Sequence, residues 1–265
     1  MAEVAEVVIV ASAFGAGSIW RDGHAAWFCA TKRAGACAFE VRRELMHDAD
    51  AQPDALRALG TALAASGLWP VWSTPDTLYA DDGALNEAGL RHAVECGRAL
   101  GARFVKFQLG GFAGEAHVAR LAAILEELGL KGRDDASAPR VVVENGQLDQ
   151  GGKLAQFTAL FRALRAAGEE KLIGMTFDIG NWQWTGEAPL MAAVALAPNV
   201  EYIHCKAVTG EGARRFACAP AADDPLCRAA LARLPSNVPR GIEFPFDEQR
   251  VEEDAARYVA WLASA

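Results

Sequence analysis

Apolar runs of strand length alternate with amphipathic segments of helical length along the whole chain of 265 residues. The segment 53–66 has the helical pattern, because Leu56, Leu59 and Leu63 recur at spacings of three and four. The segment 104–109 has the strand pattern, since its side chains alternate between two faces. Eight strand–helix repeats follow one another. The predicted strands cover residues 7–13, 37–41, 68–72, 104–109, 141–144, 173–178, 201–206 and 241–245.

The segments between these strands predict helices and loops. Asp22 is placed to cap the first helix, and Asp247 to cap the last. The predicted helices cover residues 22–33, 53–66, 85–100, 115–128, 153–167 and 189–196, followed by one that ends at 234 and one that ends near 262. Glycine-rich or polar stretches predict loops at 14–18, 131–139 and 209–224.

Strands that alternate with helices of this length indicate βαβ units and a parallel sheet. Eight units in about 250 residues are typical of a (β/α)8 TIM barrel. An open, doubly wound sheet is the alternative, but the loop 14–18 lacks the G-x-G-x-x-G pattern of dinucleotide-binding sheets. We therefore expect an α/β chain in which residues 1–265 form one TIM-barrel domain.

Polar residues stand at the ends of seven consecutive predicted strands. In a TIM barrel these ends meet on the face that carries the active site. A single polar residue there could simply be solvated, but seven in succession favour a functional site. The residues expected to point inward are Glu40, Arg42, Trp72, Lys106, Gln108, Glu144, Asp178, His204, Lys206 and Glu243.

Four of these residues, from neighbouring strands, are potential metal ligands. Three carboxylates with one imidazole suit Mn²⁺ or Mg²⁺, with Co²⁺ or Zn²⁺ as alternatives. A structural ion network with Lys106, Lys206 and Arg42 is the competing interpretation. Cys205 alternates to the opposite face from His204 and should pack against the helices. The predicted ligands are Glu144, Asp178, His204 and Glu243.

These strand ends resemble those of the xylose isomerase-like superfamily, especially ketose 3-epimerases and the sugar phosphate isomerase/epimerase group. Glu144, Asp178, His204 and Glu243 match the metal ligands of that branch in order, and Lys206 resembles its His-x-Lys motif. The resemblance implies that Glu144 and Glu243 also form the catalytic acid/base pair, with Lys206 beside them.

The chain departs from the family pattern at two places. Asn181 stands where the family often has a histidine, and it can form hydrogen bonds but cannot titrate. The substrate arginine of the epimerases has only distant counterparts in Arg214 and Arg215. Endonuclease IV-type members of the superfamily need many histidines, and here only His204 ends a strand. The resemblance therefore implies sugar chemistry without identifying the sugar.

The leading hypothesis is a metal-dependent epimerase or aldose–ketose isomerase that acts on a small carbohydrate through an enediolate. Lys106 and Lys206 would stabilise the developing negative charge. The other expected substrate-binding residues are Arg42, Trp72, Asn181 and Trp182. A Schiff-base aldolase using Lys106 or Lys206, a metal-dependent lyase or dehydratase, and a non-catalytic sugar-binding barrel are the alternatives.

Composition and charge indicate which classes of partner and which compartment to expect. The formal net charge of −8 argues against a nucleic-acid partner, which needs a basic surface. Six cysteines without a C-x-x-C pair indicate free thiols of a reducing compartment. We find no apolar run of membrane-spanning length and no basic leader, so we expect a cytoplasmic protein without a membrane partner. The resemblance is compatible with a homodimer.

Overall fold

Eight parallel strands close into a barrel in the computed structural model, which describes residues 4–114, 116–131, 138–221 and 223–265. The strands are β1 (Val7–Val10), β2 (Ala38–Arg42), β3 (Trp69–Tyr79), β4 (Phe104–Gly110), β5 (Arg140–Glu144), β6 (Gly174–Asp178), β7 (Val200–Cys205), β8 (Ala207–Thr209), β9 (Phe216–Cys218) and β10 (Arg240–Ile242). The barrel order is β1, β10, β7, β6, β5, β4, β3, β2, while β8 and β9 form a separate antiparallel hairpin.

Helices surround the barrel and complete the predicted alternation. They are α1 (Ala16–Asp22), α2 (Phe28–Arg33), α3 (Pro53–Ala65), α4 (Glu87–Leu100), α5 (Ala116–Glu127), α6 (Leu154–Ala166), α7 (Pro189–Leu196), α8 (Pro225–Leu231) and α9 (Val251–Ser264). The (β/α)8 barrel is thus confirmed, and the open sheet is excluded. In the described part of the chain, every helix is too short or too polar to cross a membrane.

Alternation along the strands divides the apolar side chains into two layers. One face of each strand packs against the helices in the main core, to which Ile9, Val105 and Phe177 belong. The other face fills the barrel floor with a small cluster: Val8, Ala38, Val71, Phe104, Val142 and Tyr202. The barrel interior is therefore apolar toward the N-terminal ends of the strands and polar at their C-terminal ends.

Two predicted helix caps were wrong. Asp22 is the last residue of α1, and the predicted helix 22–33 is a 3-10 turn (His24–Trp27) followed by α2, with Gly23 and not Asp22 at its N-cap. Asp247 accepts a hydrogen bond from the amide of Gln249 in a turn before α9.

The predicted loop 209–224 contains β9 and a short 3-10 helix. Glu115 and most of the predicted loop 131–139 lie outside the described residues.

The loops after β3, β4 and β5 pack backbone against backbone. Gly110 ends β4 at φ +72°, and a Cβ there would lie 1.9 Å from the carbonyl oxygen of Tyr79. Gly151, at φ +79°, would bring a Cβ within 2.7 Å of the Gly110 nitrogen. Since L side chains rarely adopt such φ values and no space remains, only glycine fits at these two positions.

A second close contact joins α3 to α4 and gives a prediction for stability. A Cβ at Gly60 would lie 2.2 Å from the carbonyl oxygen of Leu100, so one helix must move to accommodate it. We expect Gly60→Ala to lower the free energy of unfolding by about 1–3 kcal/mol, in the range of overpacked cores. Urea titration followed by circular dichroism measures this value.

Gly17 in α1 supplies the matched control, since nothing lies within 4 Å of a Cβ built there. Gly17→Ala should raise the free energy of unfolding by up to about 1 kcal/mol, because alanine is the better helix former. Equal effects of the two substitutions would contradict the proposed packing.

Candidate metal centre

Alternation brings the predicted polar residues together at the C-terminal end of the barrel. The register pairs Gln108 with Glu144 and Asp178 with His204 on adjacent strands. Gly241 of β10 pairs with His204, so Glu243 follows two positions above it on the same face. Carboxylate, imidazole and ammonium groups from several strands therefore meet in a single buried cluster.

The four predicted ligands form a compact set. One ligand atom from each lies within 4.8 Å of the others. Three of these side chains are buried, and Glu243 keeps only 11% of its side-chain surface exposed. The four residues could hold a metal ion, and they are Glu144, Asp178, His204 and Glu243.

The crowding of potential ligand atoms tests whether this set fits a cation. Glu144 Oε1, Asp178 Oδ2 and His204 Nδ1 are buried, and Lys206 Nζ lies 2.6 Å from Asp178 Oδ2. His204 Nδ1 lies 2.7 Å from Glu144 Oε1 and 3.1 Å from Glu243 Oε2. Buried carboxylates need a positive charge beside them, and here oxygen and nitrogen donors converge on one point. The residues fit a divalent metal ion.

Backbone contacts orient Asp178. Its Oδ1 accepts hydrogen bonds from the amides of Gly180 at 2.8 Å and Asn181 at 3.0 Å. Asn145 holds the main chain of Asp178, accepting from its amide at 2.9 Å and donating to its carbonyl at 3.0 Å. Because Oδ1 is engaged by the turn after β6, Oδ2 is the oxygen directed at the centre.

Cations of the chain surround the carboxylates. Lys106 Nζ lies 2.6 Å from Glu144 Oε2, which also accepts a 2.6 Å hydrogen bond from Gln108. Lys206 Nζ bridges Asp178 Oδ2 at 2.6 Å and Glu243 Oε2 at 2.7 Å. The predicted ion network is therefore present around the four-ligand set, and both features that the sequence left as alternatives occur together.

Arg42 closes one side of the site. Its Nη1 lies 2.7 Å from Glu243 Oε1, and its Nη2 lies 2.6 Å from Glu44 at the rim. Arg42 is thus beside the site, as expected, with its guanidinium bound to two carboxylates.

Burial and neighbouring charges act in opposite directions on these groups. Burial alone would raise the pKa of Glu144, but Lys106 and His204 hold that pKa well below its usual range. Burial opposes ionisation of Glu243 as well, and Lys206 and His204 nevertheless keep its pKa low. Burial lowers the pKa of Lys206, yet Asp178 and Glu243 raise it above its ordinary value. Glu144, Glu243 and the two lysines therefore remain charged near neutrality. Asp178 differs, because burial raises its pKa to about 7 although Lys206 acts in the opposite direction.

Glu40 belongs to the same cluster, although sequence reasoning gave it no defined role. Its Oε2 lies 2.8 Å from His204 Nε2 and accepts a 2.9 Å hydrogen bond from the Tyr202 hydroxyl. Burial would raise the pKa of Glu40, but Lys106 and His204 hold it at about 2. Strand parity was the available signal, since Glu40 and Arg42 share one face of β2.

The prediction that Trp72 points into the barrel was wrong. Trp72 is buried in the main core outside the barrel, because Val71 and Ser73 take the inward positions of β3. Trp182 is also fully buried and packs on Phe157 of α6, with ring centroids 5.7 Å apart. Neither ring can wall a substrate pocket.

Trp184 is the third ring that the sequence offers as a wall for a sugar, although loop packing was the favoured interpretation, and it lies beside the site. Its ring centroid lies 5.8 Å from Lys206 Nζ, which is within the range of a cation–π contact. Arg215 of the hairpin donates to the carbonyl oxygens of Gln183 and Trp184 and so holds this turn. The guanidinium of Arg215 is thus engaged by the backbone of the turn. Its role as a distant counterpart of the substrate arginine stays a prediction.

Asn181 is bound by protein on both sides of its amide. Its Nδ2 donates to the carbonyl of Asn145 at 2.7 Å, and its Oδ1 accepts from Gln147 at 3.2 Å. It joins the loops after β5 and β6, and its predicted contact with substrate stays a prediction.

No protein-family model matches the chain, and no curated protein matches it by sequence. Among solved structures, a xylose isomerase domain-containing protein of Salmonella typhimurium superposes with a TM-score of 0.66 at 14% identity, covering 96% of each chain. The chain has the fold of the xylose isomerase-like barrels.

Two epimerase structures are similar to the same degree. D-psicose 3-epimerase of Clostridium cellulolyticum has a TM-score of 0.67 at 10% identity, covering 96% of this chain and 99% of its own. D-allulose 3-epimerase of a Methylomonas species has a TM-score of 0.64 at 12% identity, covering 98% and 97%. The predicted resemblance is therefore confirmed at the level of the fold.

His24 supports the strand end that carries Arg42 and predicts a pH dependence of stability. The buried His24 Nε2 accepts a hydrogen bond from the amide of Arg42 at 3.2 Å. Burial lowers the pKa of His24 from 6.5 to about 4. Below pH 6.5 the unfolded chain binds a proton that the folded chain does not, so the free energy of unfolding should fall between pH 6.5 and 4 by about 3 kcal/mol.

His24→Gln keeps an acceptor but cannot titrate, so this loss should shrink in the variant. Urea titrations at several pH values measure the difference between the two proteins, in which the shared contributions of other groups cancel. His92→Gln, at an exposed position, is the control and should follow the parent protein. A parallel pH curve for His24→Gln would refute the assignment.

Proposed function

We propose that the chain is a divalent-metal-dependent epimerase or isomerase of a small carbohydrate, acting through an enediolate. The observation that carries the proposal is the convergence of four potential ligand residues at the C-terminal end of the barrel. The shared fold with ketose 3-epimerases supports the same reaction class. Residues 1–265 act as one domain in this proposal.

The residues proposed to hold the ion are Glu144, Asp178, His204 and Glu243. Mn²⁺ or Mg²⁺ suits their hard oxygen donors, with Co²⁺ or Zn²⁺ as alternatives. When bound, such an ion supplies Lewis-acid polarisation of a carbonyl, which acidifies the neighbouring carbon-bound proton.

Glu144 and Glu243 are the proposed acid/base pair. Each is kept ionised by its own cations, Lys106 for Glu144 and Lys206 with Arg42 for Glu243. The two carboxylates stand on strand ends separated by β6 and β7, so they can approach a sugar carbon from different sides. Removal of a proton by one and its return by the other would invert that carbon.

Lys206 is positioned to stabilise oxyanion charge beside this pair. Its Nζ contacts both Asp178 and Glu243, and the face of Trp184 adjoins it. Lys106 can act in the same way from the other side, through Glu144. Trp184 replaces Trp72 and Trp182 as the proposed aromatic contact to the sugar.

The Schiff-base alternative lacks a supporting observation. A lysine nucleophile must lose its proton, and this requires a lowered pKa. Burial alone would lower the pKa of Lys106, but Glu144 and Glu40 raise it overall, and the pKa of Lys206 is raised as well. Lyase, dehydratase and non-catalytic sugar-binding functions at the same centre are outcomes that the experiments below distinguish.

The metal proposal predicts near-stoichiometric ion content. The parent protein, dialysed after incubation with Mn²⁺, should retain about one ion per chain. Asp178→Asn should lose it, because the substitution removes the charge of an oxygen directed at the centre. Mass-spectrometric metal analysis measures the content, and Glu248→Gln at an exposed position is the control. Absence of metal from the parent protein would reduce the cluster to an ion network, and retention of metal by Asp178→Asn would remove Asp178 from the ligand set.

The acid/base proposal predicts that loss of one carboxylate stops inversion of the sugar carbon but not exchange of its proton with solvent. Glu144→Gln and Glu243→Gln should each lower turnover about 10²–10⁴-fold, the contribution of a positioned acid or base. In deuterated solvent, each variant should still exchange the carbon-bound proton of the substrate for deuterium on the side of the carboxylate that remains. Proton NMR of a ketose panel that includes D-psicose and D-tagatose measures both rates. Full epimerisation by either variant would reject the two-carboxylate mechanism.

A further inference from the structure

The inward face of the barrel carries a charged group that the proposed mechanism leaves without a task, the carboxylate of Glu40. It is fully buried on β2, and β1 and β10 separate that strand from β7. The carboxylate nevertheless reaches β7 across the barrel interior, where Oε2 meets Tyr202 Oη at 2.9 Å and His204 Nε2 at 2.8 Å. A buried charge directed at a candidate metal ligand indicates a supporting role.

The contact determines which nitrogen of His204 can bind a metal. Glu40 Oε2 is an acceptor that already receives the Tyr202 hydroxyl, so His204 must donate from Nε2. A ring that binds a metal is neutral, so its proton then resides on Nε2 and Nδ1 carries the lone pair. Nδ1 is the nitrogen that faces the other proposed ligands, 2.7 Å from Glu144 Oε1 and 3.1 Å from Glu243 Oε2.

We propose that Glu40 is a positioning residue that fixes the tautomer and direction of His204, so that Nδ1 faces the metal. The proposal rests on the metal site of the proposed function and adds a residue outside its ligand set. A carboxylate on the remote nitrogen also makes the imidazole a stronger donor to a metal. Glu40 therefore acts through His204 and does not touch the ion.

Cations keep Glu40 available for this contact. Lys106 Nζ lies 3.5 Å and Arg42 Nη1 lies 3.7 Å from Glu40 Oε1, the oxygen that His204 does not use. Lys106 also contacts Glu144, which is a proposed ligand. Lys106 thus connects Glu40 to the proposed ligand Glu144. Loss of the Glu40 charge therefore affects Glu144 through Lys106 as well as His204 directly.

Glu40→Gln tests the proposal, because it removes the charge while preserving the shape of the side chain. We expect its dissociation constant for Mn²⁺, measured by electron paramagnetic resonance, to rise about 10–100-fold. Glu44→Gln is the matched control, since Glu44 lies on the same segment and pairs with Arg42 at the rim. Glu44→Gln should bind Mn²⁺ as the parent does.

A second readout needs neither metal nor turnover. In metal-free protein labelled with ¹⁵N-histidine, the Nε2 proton of His204 should give a slowly exchanging, downfield resonance, identified by its loss in His204→Gln. The resonance should move in Glu40→Gln and stay in place in Glu44→Gln. A purely structural role for Glu40 would leave this resonance unchanged.

The outcomes separate this proposal from the proposed function. Unchanged Mn²⁺ affinity in a folded Glu40→Gln protein overturns the positioning role, even if the parent is an active epimerase. If the parent binds no metal, the proposed function fails, and the Nε2 resonance alone decides whether Glu40 orients His204. If Glu40→Gln does not fold, Glu40→Asp keeps the charge but withdraws the carboxylate, and parent-like affinity in that variant rejects the proposal.

Discussion

The structure depends on burying a group of carboxylates at one end of an otherwise apolar barrel. An unpaired ion in a protein interior costs several kcal/mol, so Glu40, Glu144, Asp178 and Glu243 are tolerable only together with their partners. Their counter-charges arrive on the same strands or directly after them, as Lys106, Lys206 and Arg42. Parallel closure allows this, because it gathers all eight strand ends into one small volume.

Much of the fold follows from alternation that is readable in the chain. His204 and Cys205 illustrate it: the imidazole joins the centre, while the thiol belongs to the core against the helices, as predicted. The helix 189–196 was predicted to the residue, because proline begins it and apolar side chains continue it. Helix caps were less accessible, since Asp22 and Asp247 have the right chemistry but the wrong place in the turn.

Site residues that follow the alternation of a strand were predictable, whereas side chains in the turn after β6 were not. Parity along β5, β6 and β7 placed Glu144, Asp178 and His204 correctly on one face. On β3, Trp72 was chosen for its chemistry, and the period of two assigns that face to Val71 and Ser73. After β6 the chain enters a 3-10 turn at Asn181–Gln183, so the strand period no longer indicates where Trp182 and Trp184 point.

The glycine contacts between the loops after β3, β4 and β5 bear on how such a protein can change its substrate. With backbone at 1.9 Å from a Cβ of Gly110 and 2.7 Å from one of Gly151, this sector of the rim admits no new side chains at these points. A change of substrate, whether by natural selection or by laboratory evolution, must here exchange existing side chains, because none can be added at these glycines.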